Sequence, residues 1–259
     1  MGIVKTVVVV GALAAAAATC ARISAPPTKP QAVGTSTPVL RAPLKLAVFL
    51  DQTRSTEVAR IAKPTIADFA PLFDRLRASG GEIGFGLIRD HSNTPLIRLY
   101  LPTPPEPPAS VPPAPGNIFA AANTKKRDDA ERRKYEAARQ AWLADATARI
   151  NAFIAAVTPL LAGPDDAPRT DVRSALVRAD LFLAEPSPFP RAPECFVVLI
   201  SDGLDNVNTE PIPSLKSNAR VVIANGIGSL GAVEGLAPVR FEAVSAAMRY
   251  AAEGGHDAR

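Results

Sequence analysis

The stretch LKLAVFLDQTRS, residues 44–55, decides the fold that the rest of the sequence is built around. The residues before Asp51 are mostly aliphatic and do not alternate strictly with polar ones, which indicates a central strand covered on both faces. The run ends on Asp51, and two hydroxyl residues, Thr53 and Ser55, follow at alternate positions. A second apolar run, CFVVLISDG at residues 195–203, ends in the same way on Asp202. We therefore predict two buried strands that each end in a carboxylate.

The segments around these two runs predict alternating strands and helices. The further strands expected are EIGFGLIR and PLIRLYL, joined by a hairpin turn that contains His91, then ARVVIANGIG and a possible edge strand VRF. The helices expected are 65–79, with Thr65 as N-cap and Pro71 as a kink, 123–161, 171–184, GAVEGLA and a closing EAVSAAMRYAAE. This order predicts an α/β fold, with a Rossmann-like, mostly parallel central sheet and helices on both faces.

The carboxyl ends of parallel strands meet at one edge of such a sheet, where ligands usually bind. If the strands that end on Asp51 and Asp202 are neighbours, the two carboxylates share a small space, and their repulsion favours a cation between them. Thr53 and Ser55 add two hydroxyl oxygens to this space. Such hard oxygen donors favour Mg²⁺, Mn²⁺ or Ca²⁺, whereas Zn²⁺ and Cu²⁺ prefer His and Cys, of which the chain has 2 each.

These residues resemble the motifs of von Willebrand factor A (vWA) domains. Asp51-Gln52-Thr53-Arg54-Ser55 is similar to their D-x-S-x-S metal motif, Thr170-Asp171 to their T-D loop, and Ser201-Asp202-Gly203 to their third motif. The resemblance covers residues 44–252, with residues 102–133 as an insertion and 253–259 as a tail. It implies a vWA fold of about six strands, with the second hairpin strand antiparallel at an edge of the sheet.

The resemblance also implies a metal ion-dependent adhesion site (MIDAS). In such a site Thr53, Ser55 and Thr170 would coordinate the ion directly, and Asp51 and Asp202 directly or through water. One position would stay open for an acidic side chain of a protein partner. The chain is accordingly expected to be a binding module and not an enzyme.

Several residues near the motif leave alternatives open. Thr53 stands where vWA domains usually have Ser, and Gln52 and Arg54 are bulkier than the residues common there. Arg54 either screens the site or pairs with an incoming carboxylate. Thr170 has a second possible role as N-cap of the helix that follows, and the role of Asp171 is undecided.

Two other functions compete with the metal-bridged binding module. Asp51 at a strand end also fits the nucleophile of a Mg²⁺-dependent haloacid dehalogenase-like phosphohydrolase, although Thr53 stands where such enzymes generally have a second Asp. Alternatively, recognition uses no metal and runs through the insertion at 102–133, which is rich in Pro at its start and charged in its helical part. A Ser-His-Asp hydrolase has no credible base, because His91 lies in a turn and His256 in the tail.

The N-terminus predicts export. Residues 1–20 combine Lys5, the apolar stretch from Thr6 to Ala18, and Cys20 in a context similar to the cleavage site of bacterial lipoproteins. Plain cleavage and an uncleaved anchor are the alternatives, so membrane contact is expected only through this anchor or a lipid. Residues 21–43 are a Pro-rich linker that would tether the domain in the cell envelope or periplasm.

Charge and cysteine content exclude further classes. The formal net charge of +4 is too small to indicate nucleic acid as a partner, and the basic excess is concentrated in residues 125–139. This charged segment predicts a solvated helix end, with a docking surface for an acidic partner as the alternative. Cys195 lies in a buried strand and is predicted to be a small core residue that forms no disulfide with Cys20.

Overall fold

The stretch quoted first forms the central strand of the sheet. The computed structural model describes residues 41–58, 61–109, 118–203, 207, 215–224 and 238–256. Strand β1, Leu44–Asp51, is buried along its whole length. It pairs in parallel on both sides, with β2, Gly81–Ile88, and with β4, Glu194–Ile200. The two strands that end in the predicted carboxylates are therefore direct neighbours.

The sheet has six strands in the order β3-β2-β1-β4-β5-β6. The remaining strands are β3, Ile97–Leu101, β5, Arg220–Ala224, and β6, Val239–Phe241. Among the described strands only β3 runs antiparallel to its neighbour, and it lies at one edge of the sheet. The predicted α/β class, the mostly parallel Rossmann-like sheet and the antiparallel edge strand are confirmed.

Five helices in the described part of the chain accompany the sheet. They are α1, Arg54–Val58, α2, Ala70–Ser79, α3, Ile118–Leu161, α4, Val172–Ala184, and α5, Val244–Ala252. A 3₁₀ turn, Ile66–Phe69, precedes α2. The predicted helix GAVEGLA and the end of the strand ARVVIANGIG lie outside the described residues.

The two faces of β1 enter two different cores, which explains why its sequence does not alternate. Leu44, Leu46, Val48 and Leu50 belong to a core that includes side chains of α2, α3 and α5. Ala47 and Phe49 point to the other face and belong to a core formed with α4. Because both faces are covered by helices, a polar residue would be costly at almost every position of this strand.

Three features of the helices differ from those predicted from the sequence. The kink at Pro71 was a wrong prediction, since the 3₁₀ turn changes to α-helix at Ala70 and Pro71 lies in the first turn, where its missing N–H costs nothing. Helix α3 begins at Ile118 and not at Asn123. The helix of five residues that starts at Arg54 was not predicted at all.

Helix α3 has 44 residues, which makes it about 66 Å long. From residue 123 onward its buried residues lie toward the C-terminal end and are Ala146, Ile150, Phe153, Val157 and Leu161. From residue 123 to 141 every side chain is exposed or half-buried, as the charged sequence predicted. No helix among the described residues is both long and apolar enough to cross a membrane.

One polar residue, Lys45, lies inside the buried strand β1 and is only 1% exposed. Its Nζ donates to the Glu185 carbonyl oxygen at 2.8 Å and lies 5.2 Å from the centroid of the Phe182 ring. Its neighbours across the sheet are Glu82 and Cys195. Burial raises the pKa of Glu82, and the Lys45 charge works against that rise. The positive charge of Lys45 therefore offsets part of the cost of burying the Glu82 carboxylate.

Cys195 is half-buried, carries a free thiol and packs against the core on the α4 face. Burial raises the pKa of this thiol. A thiol with a raised pKa carries little thiolate near neutral pH, which fits the predicted role as a small core residue. Cys20 lies outside the described residues.

Candidate metal centre

Asp51, the last residue of β1, is 3% exposed and accepts three hydrogen bonds. Its Oδ1 accepts from the Thr53 amide at 3.1 Å and from Thr53 Oγ1 at 2.7 Å. Its Oδ2 accepts from Ser201 Oγ at 2.6 Å. Burial nevertheless raises the pKa of Asp51 to about 6, and the charge of Asp202 adds to the rise while the Ser201 and Thr53 hydrogen bonds oppose it. The carboxylate is thus held in place but incompletely compensated.

The hydroxyls of Thr53, Ser55 and Thr170 meet beside this carboxylate. Thr170 Oγ1 donates to Thr53 Oγ1 at 3.0 Å, and Ser55 Oγ lies 3.0 Å from the same atom. The single proton of Thr53 Oγ1 goes to Asp51, so Ser55 must be the donor in its contact with Thr53. The structure brings these four predicted site residues into one hydrogen-bonded cluster.

Asp202 follows β4 at the same end of the sheet and is 4% exposed. The parallel register pairs Leu50 with Ile200, which places Ser201 and Asp202 beside the end of β1. Asp202 is close enough to raise the pKa of Asp51 electrostatically. The fifth predicted residue therefore lies next to the other four.

Backbone hydrogen bonds position the Thr170 loop over the end of β1. Thr53 and Ala167 form an isolated parallel bridge, in which the Arg54 amide donates to the Ala167 carbonyl at 3.1 Å. The Ala167 amide in turn donates to the Gln52 carbonyl at 3.2 Å. Two ion pairs hold the loop from outside, Lys63–Asp165 at 3.0 Å and Arg89–Asp166 at 2.6 Å.

Gln52 is buried, but its side chain contacts α3 and not the donor residues. Its Nε2 donates to the Leu160 carbonyl in the last turn of α3 at 2.5 Å. A Cβ added at Gly163 would lie 2.7 Å from the same Nε2, so a larger residue there would displace the end of the Gln52 side chain. The bulk of Gln52, a departure from the vWA pattern, is accommodated by contact with the end of α3.

Ser201, the first residue of the third motif, was assigned no role from the sequence but contacts Asp51 directly. Besides its bond to Asp51, its Oγ accepts from the Gly203 amide at 3.0 Å. The residue thereby joins the ends of β1 and β4. Its place directly before Asp202 could have indicated this contact. If the two strands are parallel neighbours that end at the same level, Ser201 lies opposite Asp51. Asp205 and Asn206, which follow this motif in the sequence and could add outer hydrogen bonds, lie outside the described residues.

The role of Asp171, undecided from the sequence, is structural. Its Oδ1 accepts from the Ser174 amide at 3.0 Å as the N-cap of α4, and its Oδ2 accepts from the Ser92 amide at 3.3 Å. Asp171 therefore takes the N-cap role that was the alternative for Thr170. That alternative is wrong, and the Thr170 hydroxyl points to Thr53.

We expect Asp171→Ala to destabilise the protein by about 1–2 kcal/mol, because α4 loses its cap and the turn around Ser92 loses an acceptor. Thermal or urea unfolding measures this change. Asp171→Asn is the matched control, since Asn caps helices well and should recover much of the loss. Equal loss in both variants would contradict the capping role.

The donor set fits a small hard cation. It contains two buried carboxylates and three hydroxyls, all oxygen ligands of the kind that Mg²⁺, Mn²⁺ and Ca²⁺ prefer. Within the described ranges no three His, Cys, Asp or Glu side chains form a metal-like group, so any ion here depends on the hydroxyls. His91, predicted to be a surface turn residue, is exposed.

Comparison of the chain with protein-family models finds no match, and comparison with curated proteins finds none that is significantly similar.

Proposed function

We propose that this chain is a vWA-like binding domain that holds a divalent cation with Asp51, Thr53, Ser55, Thr170 and Asp202. The ion, Mg²⁺ or alternatively Mn²⁺ or Ca²⁺, would bind a carboxylate of a protein partner at its open position. The observation that carries the proposal is the convergence of Thr53, Ser55 and Thr170 on the buried Asp51, with Asp202 beside it. The sheet order with an antiparallel edge strand supports it as well.

The balance of charged and neutral donors suits this function. Burial makes ionised Asp51 costly, and a cation would offset that cost. Three of the proposed ligands are neutral hydroxyls. A bound ion would therefore keep more of its positive charge than it would in a site made only of carboxylates. Such an ion attracts an additional carboxylate from outside, which is what a metal-bridged contact requires.

We further infer from residues 1–43 that the domain is exported and acts in the cell envelope or periplasm. Its tether would be a lipidated Cys20, with a cleaved signal or a retained anchor as the alternatives. A binding module at the end of a Pro-rich linker can reach partners at some distance from the membrane.

The test is a calorimetric titration of Mn²⁺ into the purified protein. We expect one saturable site in the wild type and its loss in Asp202→Asn. The matched control is Asp166→Asn, which removes an exposed carboxylate near the same loop but outside the donor set. We also expect bound Mn²⁺ to enhance water proton relaxation, because the open position holds exchangeable water.

Absence of saturable Mn²⁺ and Mg²⁺ binding in the wild type would refute the metal part of the proposal. Equal loss of affinity in the two variants would show that general charge and not coordination is responsible. Turnover of a phosphomonoester that disappears in Asp51→Asn would instead support the phosphohydrolase.

A further inference from the structure

Two arginines flank the donor residues on separate loops. Arg54 lies between Thr53 and Ser55, and Arg169 directly precedes Thr170. Both side chains are exposed, whereas the donors beneath them are buried or half-buried. In the part of the chain that the structure describes, no ion pair or side-chain hydrogen bond engages either guanidinium. Their charges are therefore directed to solvent.

The same contacts that assemble the donors bring these arginines to one rim. The Arg54 amide donates to the carbonyl of Ala167, two residues before Arg169. Thr170 Oγ1 reaches Thr53 Oγ1 at 3.0 Å, so the residues next to each arginine are in direct contact. The third arginine nearby, Arg89, is already paired with Asp166. Arg54 and Arg169 are thus exposed cations on two segments that meet beside the donor residues, and we call these two arginines the rim.

Positive charges beside a cation site repel the ion and lower its affinity. Negative charge from another molecule would offset this repulsion. An anionic partner supplies it, because each added carboxylate is attracted by the ion and by the arginines together. A single carboxylate at the ion would leave the guanidinium groups facing solvent. A partner segment with several acidic side chains would engage both.

We propose that Arg54 and Arg169 form a second contact point that selects an acidic partner segment with at least two carboxylates. One carboxylate completes the coordination of the ion, and another pairs with the arginine rim. This inference rests on the proposed function and adds the class of partner to it. It also resolves the two roles left open for Arg54 in favour of pairing.

The test uses a fluorescein-labelled tetra-aspartate peptide with an amidated C-terminus, and a matched peptide with one aspartate and three asparagines. Fluorescence anisotropy measures the affinity of each peptide for the Mn²⁺-loaded protein. We expect Arg54→Gln/Arg169→Gln to weaken tetra-aspartate binding by about 5- to 10-fold and to leave the single-aspartate peptide nearly unchanged. Arg54→Lys/Arg169→Lys should keep most of the affinity, and salt should weaken wild-type binding more than binding to the Gln variant.

The control is Arg149→Gln/Arg249→Gln, which removes the same charge from exposed positions on α3 and α5 and should leave both affinities unchanged. Calorimetry adds an independent readout, because removing the rim charges should raise the affinity for Mn²⁺ by about 2- to 5-fold. Equal tetra-aspartate affinity in the wild type and the rim variant would overturn the inference while Mn²⁺ binding still supported the proposed function. If the wild type binds no Mn²⁺, the same peptides are measured in EDTA to test the arginine contact alone. Weaker tetra-aspartate binding to the Gln variant would then support this contact, and equal binding would overturn it.

Discussion

Replacing Asp51 with Asn is expected to stabilise the metal-free protein by about 1–3 kcal/mol at pH 8 and to abolish saturable Mn²⁺ binding. The two effects have opposite signs and come from the same carboxylate. Burial raises its pKa to about 6, with Asp202 adding to the rise, so the ionised form opposes folding when no cation is present. The neutral amide avoids this cost but provides a poorer ligand.

The geometry lets Asn keep the two hydrogen bonds from Thr53 and reverse the direction of the one with Ser201. Its carbonyl oxygen can accept from the amide and hydroxyl of Thr53, as Asp51 Oδ1 does. Its NH₂ group can donate to Ser201 Oγ, which has two acceptor lone pairs and already accepts from the Gly203 amide. The substitution removes the charge, and its cost is that the buried Ser201 hydroxyl loses the acceptor that Asp51 provided.

The size of this stabilisation should depend on pH. Well below 3.8 Asp51 is protonated in both the folded and the unfolded state, so Asn has no electrostatic advantage. Between 3.8 and about 6 the folded state binds more protons, and the wild-type stability contributed by this group falls as pH rises. The advantage of Asn is thus small near pH 4 and complete at pH 8.

Urea unfolding in EDTA at the two pH values measures the free energy difference, and calorimetry measures Mn²⁺ binding. Asp166→Asn serves again as control, since its exposed pair with Arg89 should change stability by less than about 0.5 kcal/mol. An Asp51→Asn protein that is less stable than the wild type at pH 8 would contradict the prediction. It would mean that the three hydrogen bonds to the carboxylate outweigh its desolvation.

Lys45→Ala is expected to destabilise the protein by about 3–5 kcal/mol, the largest loss predicted here. The change removes an almost fully buried side chain from the central strand and opens a cavity against Phe182. It also leaves the Glu185 carbonyl without its donor and deprives Glu82 of a compensating charge. Urea unfolding near neutral pH, where Glu82 is ionised in the unfolded chain, measures the loss.

Lys45→Met separates packing from charge. Met retains most of the aliphatic stem, so its cost should be smaller than that of Ala by about 2 kcal/mol. Adding Glu82→Gln to Lys45→Met should recover part of the remaining loss, because the acid that needs a counter-charge is then neutral. No recovery in the double variant would show that Glu82 does not depend on Lys45.

The sequence could predict the sheet because its strongest signals are local. The runs ending at Asp51 and Asp202 are long, apolar and followed at once by polar residues, and the hydroxyl spacing of Thr53 and Ser55 is visible without a structure. The parallel register of β1 and β4 brings Asp202 beside Asp51, whereas the convergence with Thr170 depends on the bridge between Thr53 and Ala167. Metal ligation and partner binding are not decided by these contacts and remain predictions.

What the sequence could not predict depends on contacts between distant residues. Lys45 was read as part of a buried strand, but its acceptor is a carbonyl 140 positions away, which no local pattern reveals. Gln52 contacts Leu160 across a similar distance in sequence. The change from 3₁₀ turn to α-helix at Ala70 lies within one continuous apolar pattern that includes the buried Phe69, Leu72 and Phe73, so periodicity did not reveal that Pro71 stands in a first turn.

The central position of β1 has a consequence for the order of folding. The first strand of the sheet has one of its two partners in β4, and the bond from Ser201 to Asp51 joins residues separated by 150 positions. During synthesis the edge of β1 that pairs with β4 therefore stays unpaired until most of the chain has left the ribosome. Such non-local pairing slows folding and raises contact order. A chain shortened before residue 194 would retain β1 and β2 but lack β4, Ser201 and Asp202, so it could complete neither the centre of the sheet nor the cluster around Asp51.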